Sequence, residues 1–290
     1  MIATTGFFDG VHTGHRYVIE RLVSEAHARG DESLVVTFWP HPRAVLQDGA
    51  RELRLLMTLE EKKALLSALG VDRIEVLDFT RSFSSLTAEQ YLREVLRDRF
   101  GVSALLVGYD NRLGSDRLTA LDLIPIASRL GLEIIPVEPC SGAPSDHQVS
   151  STKIRKALSE GKIEEAAEML GYGYSLQGVV VAGNRLGRTI GFPTANMHLY
   201  EPLKLVPERG VYAVDVTVLG RSYRGMTNIG TRPTVGGSST TIETHIIGFD
   251  EDIYGLPLQV TFRRRIRDEV PFPSLEALRL QLEKDREACR

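Results

Sequence analysis

The stretch Gly6-Phe7-Phe8-Asp9-Gly10-Val11-His12-Thr13-Gly14-His15 lies almost at the start of the chain and decides the predicted fold. It follows a short apolar run at Ile2 and Ala3, and apolar residues recur after it at helical spacing over 18–26. Gly30 is placed to end that helix. Two histidines therefore lie where a strand turns into a helix, beside free backbone N–H groups and the positive end of the helix dipole. Because such a junction favours phosphate, the stretch predicts a nucleotide site.

The size and composition of the chain favour small-molecule chemistry. Its 290 residues are comfortable for two domains, and 42% hydrophobic and 25% charged residues are ordinary for a globular protein. The formal net charge of −3 lacks the basic excess of a nucleic-acid-binding protein. No apolar stretch approaches the ~20 residues that span a bilayer, so we expect a cytoplasmic protein without a membrane partner. The oligomeric state stays open, and a homo-oligomer is one alternative.

The first half of the chain alternates predicted strands and helices, which indicates a doubly wound parallel sheet. Thr58 and Thr87 each open a predicted helix with a capping box. Ligands of such sheets bind beyond the carboxyl ends of the strands. The His41 loop and the turn after Gly108 both follow strands, so they should join the His12/His15 turn at one edge. The predicted strands after the first are 34–38, 73–79, 104–108 and 132–137.

The second half is rich in strand patterns punctuated by glycine and proline, which predicts a small antiparallel β-barrel. Residues 219–222 form a plausible hairpin turn. Ser274 is expected to cap a final helix whose apolar face holds Leu275, Leu278 and Leu282. Two short helical pieces within 158–173 connect the halves. The predicted strands are 178–181, 211–218, 242–247 and 258–262.

The opening stretch resembles the HxGH signature of nucleotidyltransferases, and in its longer form it resembles the bacterial bifunctional riboflavin kinase/FAD synthetase family. This resemblance implies an FMN adenylyltransferase domain over 1–173, with His12 and His15 as catalytic residues. The loop Thr37-Phe38-Trp39-Pro40-His41-Pro42 is also similar to a family loop. Phe7, Asn111 and Leu113 depart from the usual pattern. The implied nucleotide-binding residues are Gly6, Phe8, Asp9, Gly10, Asp110, Arg112, Ser151, Thr152 and Arg155.

Val149-Ser150-Ser151-Thr152-Lys153-Ile154-Arg155 matches a second family motif of the first half. Ser151 or Thr152 can cap a helix, which would be a purely structural role. Lys153 and Arg155 would then lie in the first turn, where cations are disfavoured unless an anion offsets them. This mismatch favours a triphosphate-binding role, with Arg155 preferred because its planar fork suits phosphate oxygens.

The stretch from Gly183 to Asn196 resembles the riboflavin kinase flap and its PTAN motif, which implies a kinase domain over 174–290. The resemblance implies that Thr194 and Asn196 hold Mg²⁺, a hard cation that suits oxygen ligands, together with the phosphates of ATP. It makes Glu243, in Ile242-Glu243-Thr244-His245, the catalytic residue. Asn228 to Thr234 matches another family loop. The remaining implied residues are Gly183, Gly187, Arg188, Gly191 and Pro193 for the nucleotide, and Arg267 and Glu269 for the flavin.

Together the two resemblances imply the synthesis of flavin cofactors from riboflavin, FMN and ATP, with Mg²⁺ as the cofactor. ATP would phosphorylate riboflavin to FMN, and a second ATP would adenylylate FMN to FAD with release of pyrophosphate. One alternative is an adenylyl- or cytidylyltransferase for another substrate, with the barrel as an accessory. The other is a non-catalytic flavin carrier or regulator. The PTAN stretch with Glu243 argues against the first, and the presence of two catalytic sets weighs against the second.

Overall fold

The structure is a computed structural model that describes residues 1–46, 53–109, 111–138, 149–183, 186–234 and 237–289. The chain divides into two compact units, Met1–Ser150 and Ser151–Arg290. The expected domain boundary at 173/174 lies later in the chain than this division, because the two connecting helices belong to the second unit. The division into two functional domains therefore stays a prediction in its detail.

The first unit is built on five parallel strands in the order β3-β2-β1-β4-β5. The strand order reverses at β1, which lies between β2 and β4 and is the central strand. This is the doubly wound arrangement that the alternating pattern predicts. The strands are β1 (Ile2–Thr5), β2 (Ser33–Trp39), β3 (Arg73–Asp78), β4 (Ala104–Gly108) and β5 (Glu133–Val137).

The helices of the first unit begin where the sequence signals them. Thr58 and Thr87 both form complete capping boxes, in which each threonine hydroxyl and the residue three positions later exchange hydrogen bonds with backbone N–H groups. The helix opened by Thr87 continues as a π-helix over Tyr91–Arg99, which the pattern did not predict. The helices are α1 (Thr13–Ala28), α2 (Pro42–Leu46), α3 (Leu59–Ala68), α4 (Arg81–Ser84), α5 (Ala88–Gln90) and α6 (Ala120–Arg129).

Alternate residues of each central strand pack on opposite faces of the sheet, so both faces are covered. On β1, Ala3 packs into one cluster, with Leu92 of the π-helix and Leu123 of α6. Its neighbour Ile2 packs into the other cluster, with Ile19 of α1 and Leu66 of α3. Burial on both faces explains why these strands are continuous apolar runs rather than alternating ones.

The second unit contains a closed barrel of six antiparallel strands in the order β10-β7-β6-β11-β8-β9, as predicted. Closure pairs both sides of every strand, so no edge is left for aggregation. The strands are β6 (Ser175–Val181), β7 (Ala195–Leu199), β8 (Gly210–Val218), β9 (Arg221–Thr234), β10 (Gly237–Ile246) and β11 (Pro257–Arg267). The helices are α7 (Ser151–Ser159), α8 (Ile163–Leu170), α9 (Leu186–Thr189) and α10 (Leu275–Ala288).

Several local predictions for the second unit are wrong. The expected loop over 228–234 is part of β9, because the barrel pairs these residues with β8 and β10. The hairpin turn is only Leu219 and Gly220, both at positive φ, and Arg221 already belongs to the strand. Ser274 caps α10 as expected, but Leu275 is exposed. Ser151 and Thr152 are the first residues of α7 rather than residues before it.

Candidate active sites

The turn between β1 and α1 has an unusual backbone conformation. Phe8 and Val11 have positive φ values of 52° and 33°, and Gly10 has a φ of 81°. A β-branched residue such as Val11 rarely adopts this region, because its side chain collides with the backbone. Burial holds the turn in place, since Val11 is fully buried and Phe8 nearly so, and the Val11 N–H donates to the Phe8 carbonyl. Such strain persists only where the surrounding structure enforces it, often at functional sites.

His12 and His15 meet at the N-terminus of α1. His12 is the N-cap, and its Nδ1 accepts a hydrogen bond from the His15 N–H at 3.3 Å. The two imidazole rings stack with centroids 3.6 Å apart. Because Nδ1 of His12 accepts, a neutral His12 carries its proton on Nε2 and can donate from there. The structure thus brings together the two predicted catalytic residues of the first unit.

Burial keeps both histidines neutral at neutral pH. It lowers the pKa of His12 to about 4. It lowers the pKa of His15 well below its usual value, with further lowering from the charges of His12 and Lys62. The Nδ1 atom of His15 is buried and has no hydrogen-bond partner among the described residues. Two neutral imidazoles at a helix N-terminus can donate to a polyanion such as a triphosphate.

Asp9 supports the turn from within. It is 4% exposed, and its two carboxylate oxygens lie 3.1 and 3.2 Å from the Leu56 nitrogen, whose N–H donates to them. The predicted contact of Asp9 with a nucleotide is untested and stays a prediction. A Cβ on Gly6 would lie 2.9 Å from the Phe8 ring, so the close packing of the turn leaves no room for a larger residue.

The edge of the sheet gathers the predicted loops. The ring of Phe7 lies 4.1 Å from that of His41, after β2. Asn111, after β4, donates its side-chain amide to the Thr5 carbonyl at 3.2 Å. Arg112 is exposed, and Asp110 lies outside the described residues. The expected convergence of three loops at the carboxyl ends of β1, β2 and β4 is confirmed for the residues that the structure describes.

Ser151, Thr152 and Arg155 lie on α7, in the second compact unit. Thr152 is exposed, and Ser151 and Arg155 are half-buried. Their assignment to the nucleotide of the first unit stays a prediction.

The barrel brings together Thr194, Asn196 and Glu243. Thr194 lies just before β7, Asn196 lies on β7 and Glu243 lies on β10. Glu243 is paired in register with Asn196 of β7 on one side and with Asn228 of β9 on the other. Its Oε2 accepts a hydrogen bond from the Thr194 hydroxyl at 3.3 Å. A hydroxyl, an amide and a carboxylate at one place are all oxygen donors of the kind that Mg²⁺ takes. Among the described residues, no group of three or more His, Cys, Asp or Glu side chains could hold a metal.

The glycines of the flap allow close approaches of the chain. A Cβ on Gly187 would lie 2.1 Å from the Phe192 carbonyl oxygen, and one on Gly183 would lie 2.2 Å from the Asn196 side-chain nitrogen. The backbone contact excludes any larger residue at position 187, whereas a Cβ on Gly183 would displace the Asn196 side chain. Gly191 has a φ of 82°, while Arg188 and Pro193 are exposed on the same segment. These glycines therefore set the path of the chain that delivers Thr194 to Glu243.

Two cavities flank this cluster, and Thr194 lines both. The first has a volume of about 250 Å³ and is closed by Phe272 and by Leu278 and Leu282 of α10. Its other lining includes Glu243, His245, Arg267 and Glu269. Because its walls are largely apolar and its polar groups are few, it suits a flat aromatic ligand with a polar chain.

The second cavity has a volume of about 310 Å³ and lies against the flap. Arg188 and Pro193 line one side of it. The segment 249–254, between β10 and β11, supplies the other side with Phe249, Tyr254 and three acidic residues. We did not predict this segment as functional. The sequence feature that could have indicated it is a run of three consecutive acidic residues with an aromatic residue on either side, located between two strands.

Arg267 and Glu269 both border the first cavity, but they differ in their partners. The Arg267 guanidinium forms a two-pronged ion pair with Asp285 of α10, at 2.8 to 3.1 Å, and its remaining nitrogen donates to the Asp268 carbonyl. Asp285 is 1% exposed. Glu269 accepts from the Asn228 side chain at 3.4 Å. Arg267 thus attaches α10 to the barrel, and a direct contact with flavin stays a prediction for both residues.

His245 is a further residue of the barrel site. Its Nδ1 lies 2.9 Å from the Pro193 carbonyl oxygen, and its ring lies 5.1 Å from that of Phe192. Burial lowers its pKa, with a smaller effect from the charge of Arg286. His245 therefore fastens the flap to β10 beside Glu243.

Comparison with known proteins identifies the family of both units. A family model described as FAD synthetase matches residues 1–153, and one described as riboflavin kinase matches residues 170–290. The protein of Listeria monocytogenes named bifunctional riboflavin kinase/FMN adenylyltransferase is 37% identical, over 100% of this chain and 91% of its own length. The chain belongs to this bifunctional family. As a member, it phosphorylates riboflavin to FMN and adenylylates FMN to FAD, and both activities use ATP.

Other relatives agree in length and in fold. The proteins of the same name from Escherichia coli K12 and Bacillus subtilis are 37% and 33% identical and are covered over 91% and 90% of their lengths. A solved structure described as a macrolide-efflux protein from Streptococcus pneumoniae matches with a TM-score of 0.92 at 33% identity, over 100% of this chain and 93% of that one. That description is said of the S. pneumoniae protein. In the described parts of this chain, no helix combines the length and apolarity that crossing a membrane requires.

Proposed function

We propose that the Thr194–Glu243 cluster of the barrel is the riboflavin kinase site, with the flavin in the cavity closed by α10 and ATP in the cavity along the flap. One observation supports this most: the Thr194–Glu243 hydrogen bond lies where the two cavities meet. In that arrangement the hydroxyl of one substrate would face the terminal phosphate of the other. We assign the nucleotide to Gly183, Gly187, Arg188, Gly191 and Pro193, and the flavin cavity to Arg267 and Glu269.

Glu243 is the catalytic residue of the kinase step in this proposal. Its carboxylate would accept a hydrogen bond from the ribityl hydroxyl and orient the oxygen toward the γ-phosphorus. It would take up the proton as the new P–O bond forms and the bond from the γ-phosphorus to the leaving ADP breaks. Transfer through a loose transition state needs mainly positioning and charge neutralisation. Thr194 and Asn196 would hold Mg²⁺, which when bound offsets the charge of the transferring phosphoryl group.

The adenylyltransferase site in this proposal is the turn from Gly6 to His15. An oxygen of the FMN phosphate attacks the α-phosphorus of ATP, and the bond to the leaving pyrophosphate breaks. The phosphate is already ionised, so the step needs no strong base, and the task is to stabilise charge on the phosphates. His12, His15 and the α1 N-terminus would do so by donation. Gly6, Phe8, Asp9, Gly10, Asp110, Arg112, Ser151, Thr152 and Arg155 are assigned to the nucleotide on the strength of the family motifs.

This residue assignment predicts that the two activities can be removed one at a time. His15→Ala should abolish FAD formation from FMN and leave FMN formation from riboflavin intact, because the turn from Gly6 to His15 shares no residue with the barrel cluster. Glu243→Gln should do the reverse, with a loss of kinase turnover of about 100-fold or more, as for removal of a general base. Chromatographic separation of riboflavin, FMN and FAD after incubation with Mg-ATP measures both steps.

The matched control for His15 is His27→Ala, at the exposed end of the same helix. It should leave both steps unchanged. Near-normal FMN formation by Glu243→Gln would remove Glu243 from the proposal, and loss of both activities in a folded His15→Ala protein would argue against separate sites. We further propose a cytoplasmic location and leave open whether the chain forms a homo-oligomer.

A further inference from the structure

Lys62 of α3 is a buried cation beneath the turn from Gly6 to His15. It is 1% exposed. Its Nζ donates to the Phe7 carbonyl at 2.6 Å and to the Thr37 hydroxyl at 3.3 Å, and it lies 3.7 Å from the centroid of the Phe7 ring. The Thr37 hydroxyl in turn donates to the same Phe7 carbonyl at 3.2 Å. Lys62 and Thr37 together therefore hold the carbonyl of one residue of the turn.

A role in packing alone does not account for a charged group at this position. Burial of an ammonium is unfavourable unless partners compensate for it, and a leucine or methionine would fill the same space without that cost. The compensation here comes from the Phe7 carbonyl, the face of the Phe7 ring and the negative charge of Asp9. A cation–π contact is strongest when the cation is desolvated, as Lys62 is here. Each of these partners belongs to the turn.

The Phe7 carbonyl stands at the start of the strained part of the turn. The next residue, Phe8, has a φ of 52°, and its ring meets the edge of the His15 ring with centroids 5.3 Å apart. His15 stacks on His12. A fixed peptide at Phe7 therefore defines where Phe8 lies, and Phe8 limits where the two histidine rings can lie.

We propose that Lys62 is a positioning residue for adenylyl transfer: it holds the peptide after Phe7 so that His12 and His15 keep the geometry that the reaction needs. This inference rests on the proposed assignment of the reaction to that turn. Lys62 touches neither histidine in a hydrogen bond given by the structure, so its contribution is indirect. Misplacement of catalytic groups by about 1 Å is enough to lower a rate about 100-fold.

The charge state of Lys62 offers a readout that a structural role would not supply. Burial lowers the pKa of Lys62 to about 8, opposed by the charge of Asp9. Two other titratable groups lie around it. One is His15 of α1, whose pKa is lowered by the charge of Lys62, and the other is His41, whose ring contacts the ring of Phe7. On α3 itself, Glu61 is engaged in the capping box and Lys63 pairs with Glu60. A pKa of about 8 means that Lys62 loses its proton near pH 8.

The test measures FAD formation from FMN and FMN formation from riboflavin by the full-length chain and by Lys62→Met, which keeps the length of the stem. We expect kcat for FAD formation to fall about 10- to 100-fold with a change in the KM for ATP of less than about threefold, because orientation rather than binding is lost. FMN formation should stay at the wild-type rate. The wild-type FAD-forming rate should decline above about pH 8, and Lys62→Met should lack that decline.

Lys63→Met is the matched control, since the Lys63 ammonium is half-exposed and pairs with Glu60 at 3.4 Å. It should match the wild type in every measurement. If Lys62→Met does not fold, Thr37→Val removes the second donor to the Phe7 carbonyl at nearly constant volume and should give a smaller loss of kcat in the same direction.

The outcomes separate this inference from the proposal on which it rests. Retained FAD formation by His15→Ala overturns the assignment of the turn itself. Loss of FAD formation by His15→Ala, together with normal kcat in folded Lys62→Met or an unchanged decline above pH 8 in that variant, overturns the role of Lys62 alone. A lower melting temperature with normal kcat in Lys62→Met also overturns it, because Lys62 would then only stabilise the fold.

Discussion

In the first unit, His12 and His15 lie on one continuous segment, whereas in the barrel Thr194 and Glu243 are 49 residues apart in the chain. The first site is defined by local backbone conformation, with Phe8 and Val11 held at positive φ by burial. The second is defined by the pairing of β10 with β7. A slip of one residue in that pairing would turn Glu243 to the other face of the strand. The contiguous site therefore depends on the shape of one turn, and the assembled site depends on register and on the path of the flap.

The largest expected effect tests the path of the flap. A Cβ on Gly187 would lie 2.1 Å from the Phe192 carbonyl oxygen, so Gly187→Ala must displace the segment that leads to Thr194. We expect FMN formation to fall about 100-fold, because a shift of about 1 Å misplaces the Thr194–Glu243 pair. FAD formation from supplied FMN should be unaffected. Initial rates of the two steps measure the contrast.

Gly220→Ala is the control for this substitution. Gly220 lies in the Leu219–Gly220 turn with a φ of 71° and has open space around the position of a Cβ. The change should cost about 1 kcal/mol of stability through the left-handed conformation, with both activities preserved. Equal FMN formation by the two variants would mean that the barrel site does not depend on the path of the flap.

The second expected effect concerns the attachment of α10, which closes the first cavity, the one that we assign to the flavin. Asp285→Ala leaves the Arg267 guanidinium without its carboxylate partner, so the free energy of unfolding should fall by about 3 to 5 kcal/mol, as for a broken buried ion pair. The KM for riboflavin should rise about tenfold, since Leu278 and Leu282 would no longer be held at the cavity. Urea unfolding followed by circular dichroism and steady-state kinetics measure both quantities.

On the same helix, Glu283→Ala removes a half-exposed partner of Arg279 and should cost no more than about 1 kcal/mol. The KM for riboflavin should not change in that variant. If the two substitutions had the same effect, the buried pair would not be what fixes α10, and the wall of the cavity would have to depend on its apolar contacts.

The smallest expected effect is the response of the first unit to acid. The pKa of His12 is about 4 in the folded protein against an ordinary value of 6.5, so the unfolded chain takes up the proton first as the pH falls. The corresponding stability is present above pH 6.5 and is lost progressively as the pH falls toward 4. From His12 alone, we expect a loss of about 2 kcal/mol between pH 7 and pH 5. Urea unfolding followed by the fluorescence of Trp39, the single tryptophan and part of β2, reports on the first unit.

In His12→Gln this loss should be smaller by that amount, because the glutamine does not titrate. His27→Gln, at the exposed end of α1, should retain the wild-type dependence on pH. A wild-type slope in His12→Gln would show that burial of the turn does not keep His12 neutral.

Local signals predicted much of the first unit. The capping boxes at Thr58 and Thr87 and the glycine at position 30 set helix boundaries through interactions between near neighbours, and the structure confirms them. The alternation of predicted strands and helices indicated the parallel sheet, and the structure confirms it. The positive φ of Val11 was not predictable, because it is opposed by the local preference of that residue and is held by packing.

The features that we missed in the barrel depend on long-range pairing. We predicted no strand for β7, which holds the PTAN residues Ala195 and Asn196. Its five residues alternate between apolar and polar side chains, but so short a run becomes a strand only through its pairing with β6 and β10. The lining segment 249–254 was missed because it reaches the flap only in the folded barrel. In the first unit, Lys62 belongs to a helix that the sequence predicts, but nothing in the spacing of its neighbours indicated that its side chain is buried under the turn.

The sequence by itself determined the alternating strands and helices of the first unit, the motifs of both units and the position of the His12/His15 pair, because turns, caps and helix N-termini act over a few residues. Only the tertiary structure decided that Thr194 hydrogen-bonds to Glu243, that Arg267 pairs with Asp285 and that Lys62 donates to the Phe7 carbonyl. Those contacts follow from strand register and from burial, which are properties of the folded chain as a whole. The opening turn is thus recognisable in the sequence, while the groups that hold it in shape are apparent only once the chain is folded.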